Sequence, residues 1–403
     1  MFGPLALSLL VAQTATTTIT SSTATVAAAP RRAPPVHIEL PATGPAIELI
    51  IFSAGPELYS FWGHAAIRVI EPSGLDVVYN FGSVDFSGNF LLRLLRGEVE
   101  AFVSVTPTRR TLEAYRREDR SIVRRRLALD AKARRELAER LRAYVDESGG
   151  KYRYHHFVDN CSTRVALEID RAFDGALSQA VAKVEDQTYR ERALAMVRPS
   201  TVLYVFLDIV MTSVIDRPID RWEASFLPHV LATAVDEAKV DGRPVVEEKV
   251  LFHKGGVGNT EAPWPWIKIY LLFVLPLAAL TYWRPRPGAI VAGLVFGLLG
   301  VAIMMLWFLT TYDFVKSNVN LALFPPTHLA LFFAALKADR FRRHGRTVRL
   351  YVWAHLLVVI ALAVVDAAGL LSQAIGPALG MALPISAVLA VEVRRMGGDS
   401  ARR

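Results

Sequence analysis

The chain carries one cysteine, Cys161, in the run Tyr-His-His-Phe-Val-Asp-Asn-Cys-Ser-Thr-Arg (154–164). A lone thiol is either a small apolar core residue or a nucleophile, and the surrounding residues favour the nucleophile. Val165, Ile169 and Phe173 recur four apart, which predicts a helix with one apolar stripe starting at the thiol. Asp159 and Asn160 just before it are N-cap types. In a first helical turn, unpaired backbone N–H groups and the helix dipole favour a thiolate, the form that attacks carbonyls and makes thioesters. The dipole alone is too weak. A thiol of ordinary pKa ~8.5 needs a shift of more than ~1.5 units, about 2 kcal/mol, to be mostly ionised at neutral pH, and a dipole contributes ~0.3–1 kcal/mol. An imidazole must therefore take the proton and return it to the leaving group, and a third group must fix its tautomer.

These parts have to come from strands upstream. Ala46–Ser53 reads as a strand, Ser60–Ile70 as a second and Val77–Gly82 as a third. His64 opens the second, behind Gly63, and is the chosen base; Asn80 on the third is the chosen orienting group, with Asp85 the alternative. His155 and His156 also neighbour the thiol. In an extended run from Lys151 to Val158 they would face opposite ways, so only one could serve. Residues 90–96 and 109–147 read as helical, the latter with an arginine-rich solvated face. Arg164 and Arg68 could bind a lipid phosphate, although structural ion pairs suit them better. Asn160 and Ser162 beside the thiol complete the local candidates for substrate binding.

The chain is 52% hydrophobic with mean hydropathy +0.30, and the excess is concentrated after Trp264. Apolar runs at 266–283, 288–310, 321–336, 350–371 and 374–393 each approach the ~20 residues that cross a bilayer core. Pro325 and Pro326 interrupt the third. The loops after the first and third runs and the tail hold twelve Lys/Arg, from Arg284 to Arg403, while the other two loops hold only Lys316. The positive-inside rule then leaves the N-terminal domain outside the cytoplasm. Residues 265–403 carry a net charge of +9 and residues 1–264 a net of −1, so the pI of 9.6 reflects membrane topology and nucleic acid is not a partner. Asn318, Asn320, Asp313 and Asp366 fall on the outer side, where Asn318 and Asn320 could line a substrate mouth. The predicted organisation is a weak signal sequence and Ser/Thr/Ala-rich linker at 1–35, a catalytic domain at 36–240, a glycine-rich linker at 241–264 and a membrane domain at 265–396.

The runs Phe-Trp-Gly-His-Ala-Ala-Ile-Arg-Val (61–69), Tyr-Asn-Phe-Gly-Ser-Val-Asp-Phe (79–86) and 154–164 resemble the Lnb N-terminal periplasmic domain family. Gln-Thr-Tyr-Arg (187–190), Asp-Arg-Pro (216–218) and Phe-Leu-Pro (226–228) do so too, and Asn318–His328 is similar to the family's membrane part. The resemblance implies a periplasmic thiol domain on a membrane anchor, with Cys161 and His64 as its Cys and His, and a role as lipoprotein N-acyltransferase. The order His-then-Cys also resembles the permuted papain-like folds of the lecithin:retinol acyltransferase and NlpC-like proteins. The expected fold is thus an α+β papain-like thiol domain followed by about five helical spans. In one respect the chain departs from the family: Thr310-Thr311-Tyr312-Asp313 stands where members often carry a His.

The expected activity moves a phospholipid acyl chain through a Cys161 thioester to the N-terminal amine of a lipoprotein, in a bacterial inner membrane. The alternatives are an envelope hydrolase with the same dyad (a cell-wall peptidase, amidase or phospholipase) and a non-enzymatic scaffold. CxxC, HExxH, Walker and dinucleotide motifs are absent from the sequence, so no metal or nucleotide cofactor is expected.

Overall fold

Strand β1 (Ala46–Phe52) is apolar on both faces apart from Glu48, and every one of its residues is buried. Such a strand belongs in the middle of a covered sheet. The computed structural model, which describes residues 44–148, 150–256, 264–337 and 345–398, places it there. The segment 1–35 lies outside the described residues. Around β1 run β2 (His64–Ile70), β3 (Asp76–Val84), β4 (Glu100–Pro107), β5 (Ile122–Leu127), β6 (Tyr152–Arg153) and β7 (Val246–His253). The sheet order is β7-β5-β1-β2-β3-β4-β6 with every neighbouring pair antiparallel. Helices α1 (Phe90–Arg96), α2 (Thr108–Arg117), α3 (Ala131–Ser148) and α4 (Cys161–Ala172) connect or cover these strands. Val165 and Ile169 of α4 are fully buried against Leu49, Ile67 and Phe81, and Phe173 packs at the edge of the same cluster. The stripe read from the sequence is the face that seats α4 on the sheet.

Three local expectations are corrected. The stretch 109–147 is two helices separated by β5, because the arginines at 124–126 have buried acids to meet. Glu48, 3% exposed, binds Arg68 at 2.8 Å and Arg124 at 3.1 Å, and Arg125 binds Asp236 at 2.6 Å. Arg68 also holds Asp76, so it is structural. The run 151–158 is extended only at Tyr152–Arg153, and a turn closed by the His155–Asp159 bridge follows. The expected linker 241–264 contains β7, whose charged residues suit the sheet edge it occupies.

Helices α5 (Tyr189–Val197), α6 (Thr201–Val210) and α7 (Pro228–Glu237) complete the extracytoplasmic domain. Beyond it, α8 (Pro265–Trp283), α9 (Pro285–Leu309), α11 (Gly345–Ala367) and α12 (Gly376–Gly398) are long and apolar enough to cross a membrane. Asp313–Leu323 and α10 (His328–Leu336) are a further apolar pair, bent by 45° across a short break, so the domain has four or five apolar spans. The break falls at Pro325-Pro326, where ring geometry and missing N–H groups prevent a continuous helix. It is packed tightly, since a Cβ on Gly300 of α9 would stand 2.0 Å from the Phe324 carbonyl.

The two loops assigned to the outer side by charge are those that meet the thiol domain. Asn318 Nδ2 donates to the Ile209 and Val210 carbonyls, both at 2.9 Å, and the Ala374 N–H donates to Asp216 at 2.9 Å. Behind this seam Arg190 of the Gln-Thr-Tyr-Arg run is buried between Asp208 and Asp216, the latter from Asp-Arg-Pro.

Replacing Glu48 by Ala leaves Arg68 and Arg124 as buried cations short of a partner, a situation that costs about 3–5 kcal/mol. The expected result is a melting temperature for the purified full chain lower by at least about 5 °C. An unchanged melting curve would show that the glutamate is not the hub of the sheet.

Candidate active site

The start of α4 is fixed by one amide. Asn160 has extended backbone (φ −122°, ψ −173°), and its Oδ1 accepts from the N–H groups of Ser162 at 2.8 Å and Thr163 at 3.0 Å. Thr163 Oγ1 returns the favour by accepting from the Asn160 N–H at 2.7 Å, a reciprocal capping box. The other end of the same side chain donates to the carbonyls of His156 at 2.7 Å and Phe226 at 3.1 Å. Ser162, fully buried, donates to the Ser225 carbonyl at 2.6 Å. Cys161 is consequently the first helical residue, half-buried, and cannot rotate away with its helix end.

That end enters where β2 and β3 part. Their ladder runs from Ile70 only to Ile67, and beyond its end the Ala65 N–H lies close enough to the Cys161 sulfur to favour its thiolate. On the β3 side, Gly82 takes φ +80°, and a Cβ there would stand 3.2 Å from Cys161 Cβ and 3.3 Å from the Tyr154 ring. Only glycine leaves the thiol this room. Cys161 thus abuts the residue directly after His64.

His64 is held by a directional chain. Asn80 Nδ2 donates to Thr106 Oγ1 at 3.1 Å and to the Val78 carbonyl at 3.3 Å, and Thr106 meets Thr111 at 2.6 Å. With its amide nitrogen so committed, Asn80 presents Oδ1 to His64 Nε2, at 3.3 Å. An amide oxygen can only accept, so Nε2 carries the proton and Nδ1 carries the free lone pair. The ring packs alongside the stacked pair Phe52 and Tyr115, with centroids 5.8 and 6.0 Å away. Asp85, the alternative orienting group, is exposed and bonded to Ser87 instead.

The electrostatics differ from the expected ion pair. Burial, reinforced by the charge of Arg120, pushes the His64 imidazole down to about 4. Burial also raises the Cys161 thiol above its ordinary value, against the opposing pull of the Ala65, Ser162 and Cys161 N–H groups and of Arg120. At neutral pH the resting site therefore holds a neutral thiol and a neutral imidazole. Proton transfer must accompany attack rather than precede it, with His64 Nδ1 free to accept.

The remaining candidates separate into distinct places. His155 and His156 do not face opposite ways: both rings pack on Tyr312 and Phe314. His155 is also occupied, Nδ1 accepting from the Phe157 and Val158 N–H groups and Nε2 facing Asp313 at 3.3 Å. Arg164 grips Asp159, with one contact of 2.6 Å, and lies 4.2 Å over the Tyr152 ring. It is not free to receive a phosphate. Asn160 and Ser162 act as the cap and anchor just described, and Asn318 and Asn320 are buried clamps on the end of α6. All five side chains are engaged in bonds within the protein.

Sequence reasoning missed Arg120, Tyr154, Thr106 and the Ala65 N–H. Arg120 is 3% exposed, bonded to the Ser53 carbonyl at 2.7 Å and stacked 4.6 Å over Tyr115. Nothing in an arginine-rich run marks which arginine turns inward. A signal was available for Thr106, which lies opposite Val78 in the β3–β4 register, two residues from Asn80.

Alkylation of Cys161 by a small neutral reagent tests the charge state. The expected rate climbs about tenfold per pH unit from pH 6 to 9, the thiolate fraction of an unpaired thiol. A plateau between pH 5 and 8 would reveal a resting thiolate–imidazolium pair and contradict the neutral dyad.

Two comparisons with protein families match, in the order found along this chain. The Lnb N-terminal periplasmic domain matches residues 40–193 and the Lnb transmembrane domain matches residues 260–393. The search of curated proteins gave no match, and neither did the search of solved structures. With both parts of the architecture present, the chain belongs to the Lnb family of multi-pass membrane proteins with a periplasmic domain.

Proposed function

We propose that the protein is a thiol acyltransferase of the bacterial inner membrane, moving an acyl chain from phospholipid to the N-terminal amine of a lipoprotein. The observation that supports this most is the helix-start thiol abutting the residue after His64, whose Nδ1 lone pair is kept available by Asn80. A His-bearing strand followed by a Cys-initiated helix also accords with a permuted papain-like arrangement, and membership of the Lnb family accords with modification of lipoproteins.

In the reading proposed, Cys161 Sγ attacks the ester carbonyl of a phospholipid while its proton passes to His64 Nδ1. The carbonyl oxygen becomes an oxyanion, for which backbone N–H groups at the site are the available donors. The Ser162 N–H already serves Asn160, which leaves those of Cys161 and Ala65. Collapse breaks the C–O bond, and the lysophospholipid oxygen takes the proton from His64. The acyl-thioester is then attacked by a lipoprotein α-amine, whose ordinary pKa of ~7.7–8.0 leaves a useful neutral fraction. The amine's proton returns through His64 to sulfur, restoring the neutral thiol. An imidazole with pKa about 4 is a weak base, which suits a step where proton transfer and carbon–sulfur bond formation are concerted.

Purified protein incubated with labelled phospholipid and a diacylated lipopeptide is expected to give triacylated product. Cys161→Ala should abolish it, and Asn80→Ala should lower the rate at least about tenfold, or 1.4 kcal/mol in the barrier. Release of free fatty acid without acylated peptide would instead identify a lipase, and turnover by Cys161→Ala would exclude thiol chemistry.

A further inference from the structure

Exposed apolar side chains cluster at one place on the extracytoplasmic domain. Leu91, Leu92 and Leu95 of α1 are 54%, 42% and 45% exposed, and no residue of that helix is buried. Phe86, just before α1, is 55% exposed and lies 4.8 Å from Phe90 and 5.6 Å from Tyr59. A seven-residue helix cannot stand in water by its own propensity, and this one has no core beneath it.

Its position says what covers it. At the C-terminal end of α1 the Thr311 N–H donates to the Arg96 carbonyl at 2.8 Å, and Thr311 Oγ1 donates to the Arg96 and Gly97 carbonyls, both at 3.1 Å. Thr311 is two residues beyond Leu309, the outer end of the α9 span, where Phe308 and Leu309 are 75% and 51% exposed. The apolar face of α1 is therefore continuous with the lipid-facing end of a membrane helix. Arg96, on its exposed surface, suits anionic headgroups. The segment leaves the sheet just beyond Gly82, which abuts Cys161, and returns at Val99, whose carbonyl accepts from the N–H of Tyr154 at 3.0 Å. Both its ends lie beside the thiol.

We propose that α1, with Phe86 and Tyr59, is inserted in the outer leaflet and forms the ramp by which the ester of a bilayer phospholipid reaches Cys161. The insertion stands on its own; the ramp rests on the acyl-transfer reading. Spin labels on Leu92→Cys, Phe308→Cys and Leu75→Cys, each in a Cys161→Ala background, report depth in vesicles of phosphatidylethanolamine and phosphatidylglycerol. Leu75 is exposed on the β2–β3 turn, at the far end of β3, and serves as the water reference. The label at 92 is expected to match that at 308, open to oxygen and shielded from a water-soluble nickel complex. Behaviour like the label at 75 would overturn the insertion, and shielding from both probes would mean that protein covers α1. With insertion established, serine at 91, 92 and 95 together is expected to slow transfer from vesicle lipid at least tenfold while small-reagent alkylation of Cys161 keeps its rate. Unchanged transfer would overturn the ramp. A wild-type protein that transfers no acyl chain would count against the acyltransferase reading, and the depth measurement would still decide the insertion.

Discussion

Everything at the site depends on the wedging of one helix N-terminus into the gap between two strands. Asn160 spends its whole amide on this: its oxygen caps α4, and its nitrogen ties the cap to His156 and Phe226. Because Ser162 is simultaneously anchored to Ser225, the first turn of α4 has no freedom to tilt. Gly82 then makes room for the thiol, and the unzipped end of the β2–β3 ladder brings the Ala65 N–H to its sulfur. The Phe-Leu-Pro run that had no chemical reading earns its place here, since Phe226 both accepts from Asn160 and packs on Phe157 and Tyr189.

The same economy governs charge. Arginines are numerous, yet those in the extracytoplasmic interior meet carboxylates or carbonyls: Arg68 and Arg124 on Glu48, Arg125 on Asp236, Arg190 on Asp208 and Asp216. Arg120 is different in its effect, because its charge reaches both His64 and Cys161. It favours the thiolate and disfavours the imidazolium at once. The neutral resting dyad follows from burial, which Arg120 reinforces at the imidazole and opposes at the thiol.

Much of this could be read from the chain and some could not. The apolar runs and their flanking arginines marked the membrane domain, and Pro325-Pro326 marked the bend in its third member. The four-residue spacing of Val165, Ile169 and Phe173 gave the seated face of α4, and residue chemistry picked out Cys161, His64 and Asn80, which the fold brings into one neighbourhood. What failed depended on tertiary partners. The arginines at 124–126 look like a solvated helix until Glu48 and Asp236 are seen beneath them. β7 looks like a linker because an edge strand tolerates charge and is flanked by glycines. Arg164, Asn318 and Asn320 looked available for substrate, because sequence alone does not show that Asp159 and the carbonyls at 209 and 210 already hold them.

The membrane domain is more than an anchor in this arrangement, since Tyr312 and Phe314 pack on the turn before the thiol and Thr311 holds the end of α1. The most direct test of the whole account is the mass of the intact protein after incubation in phospholipid vesicles with no acyl acceptor present. One acyl chain on Cys161, removable by neutral hydroxylamine, is the expected result. An unmodified Cys161 under those conditions, in protein whose thiol still reacts with a small alkylating reagent, would contradict it.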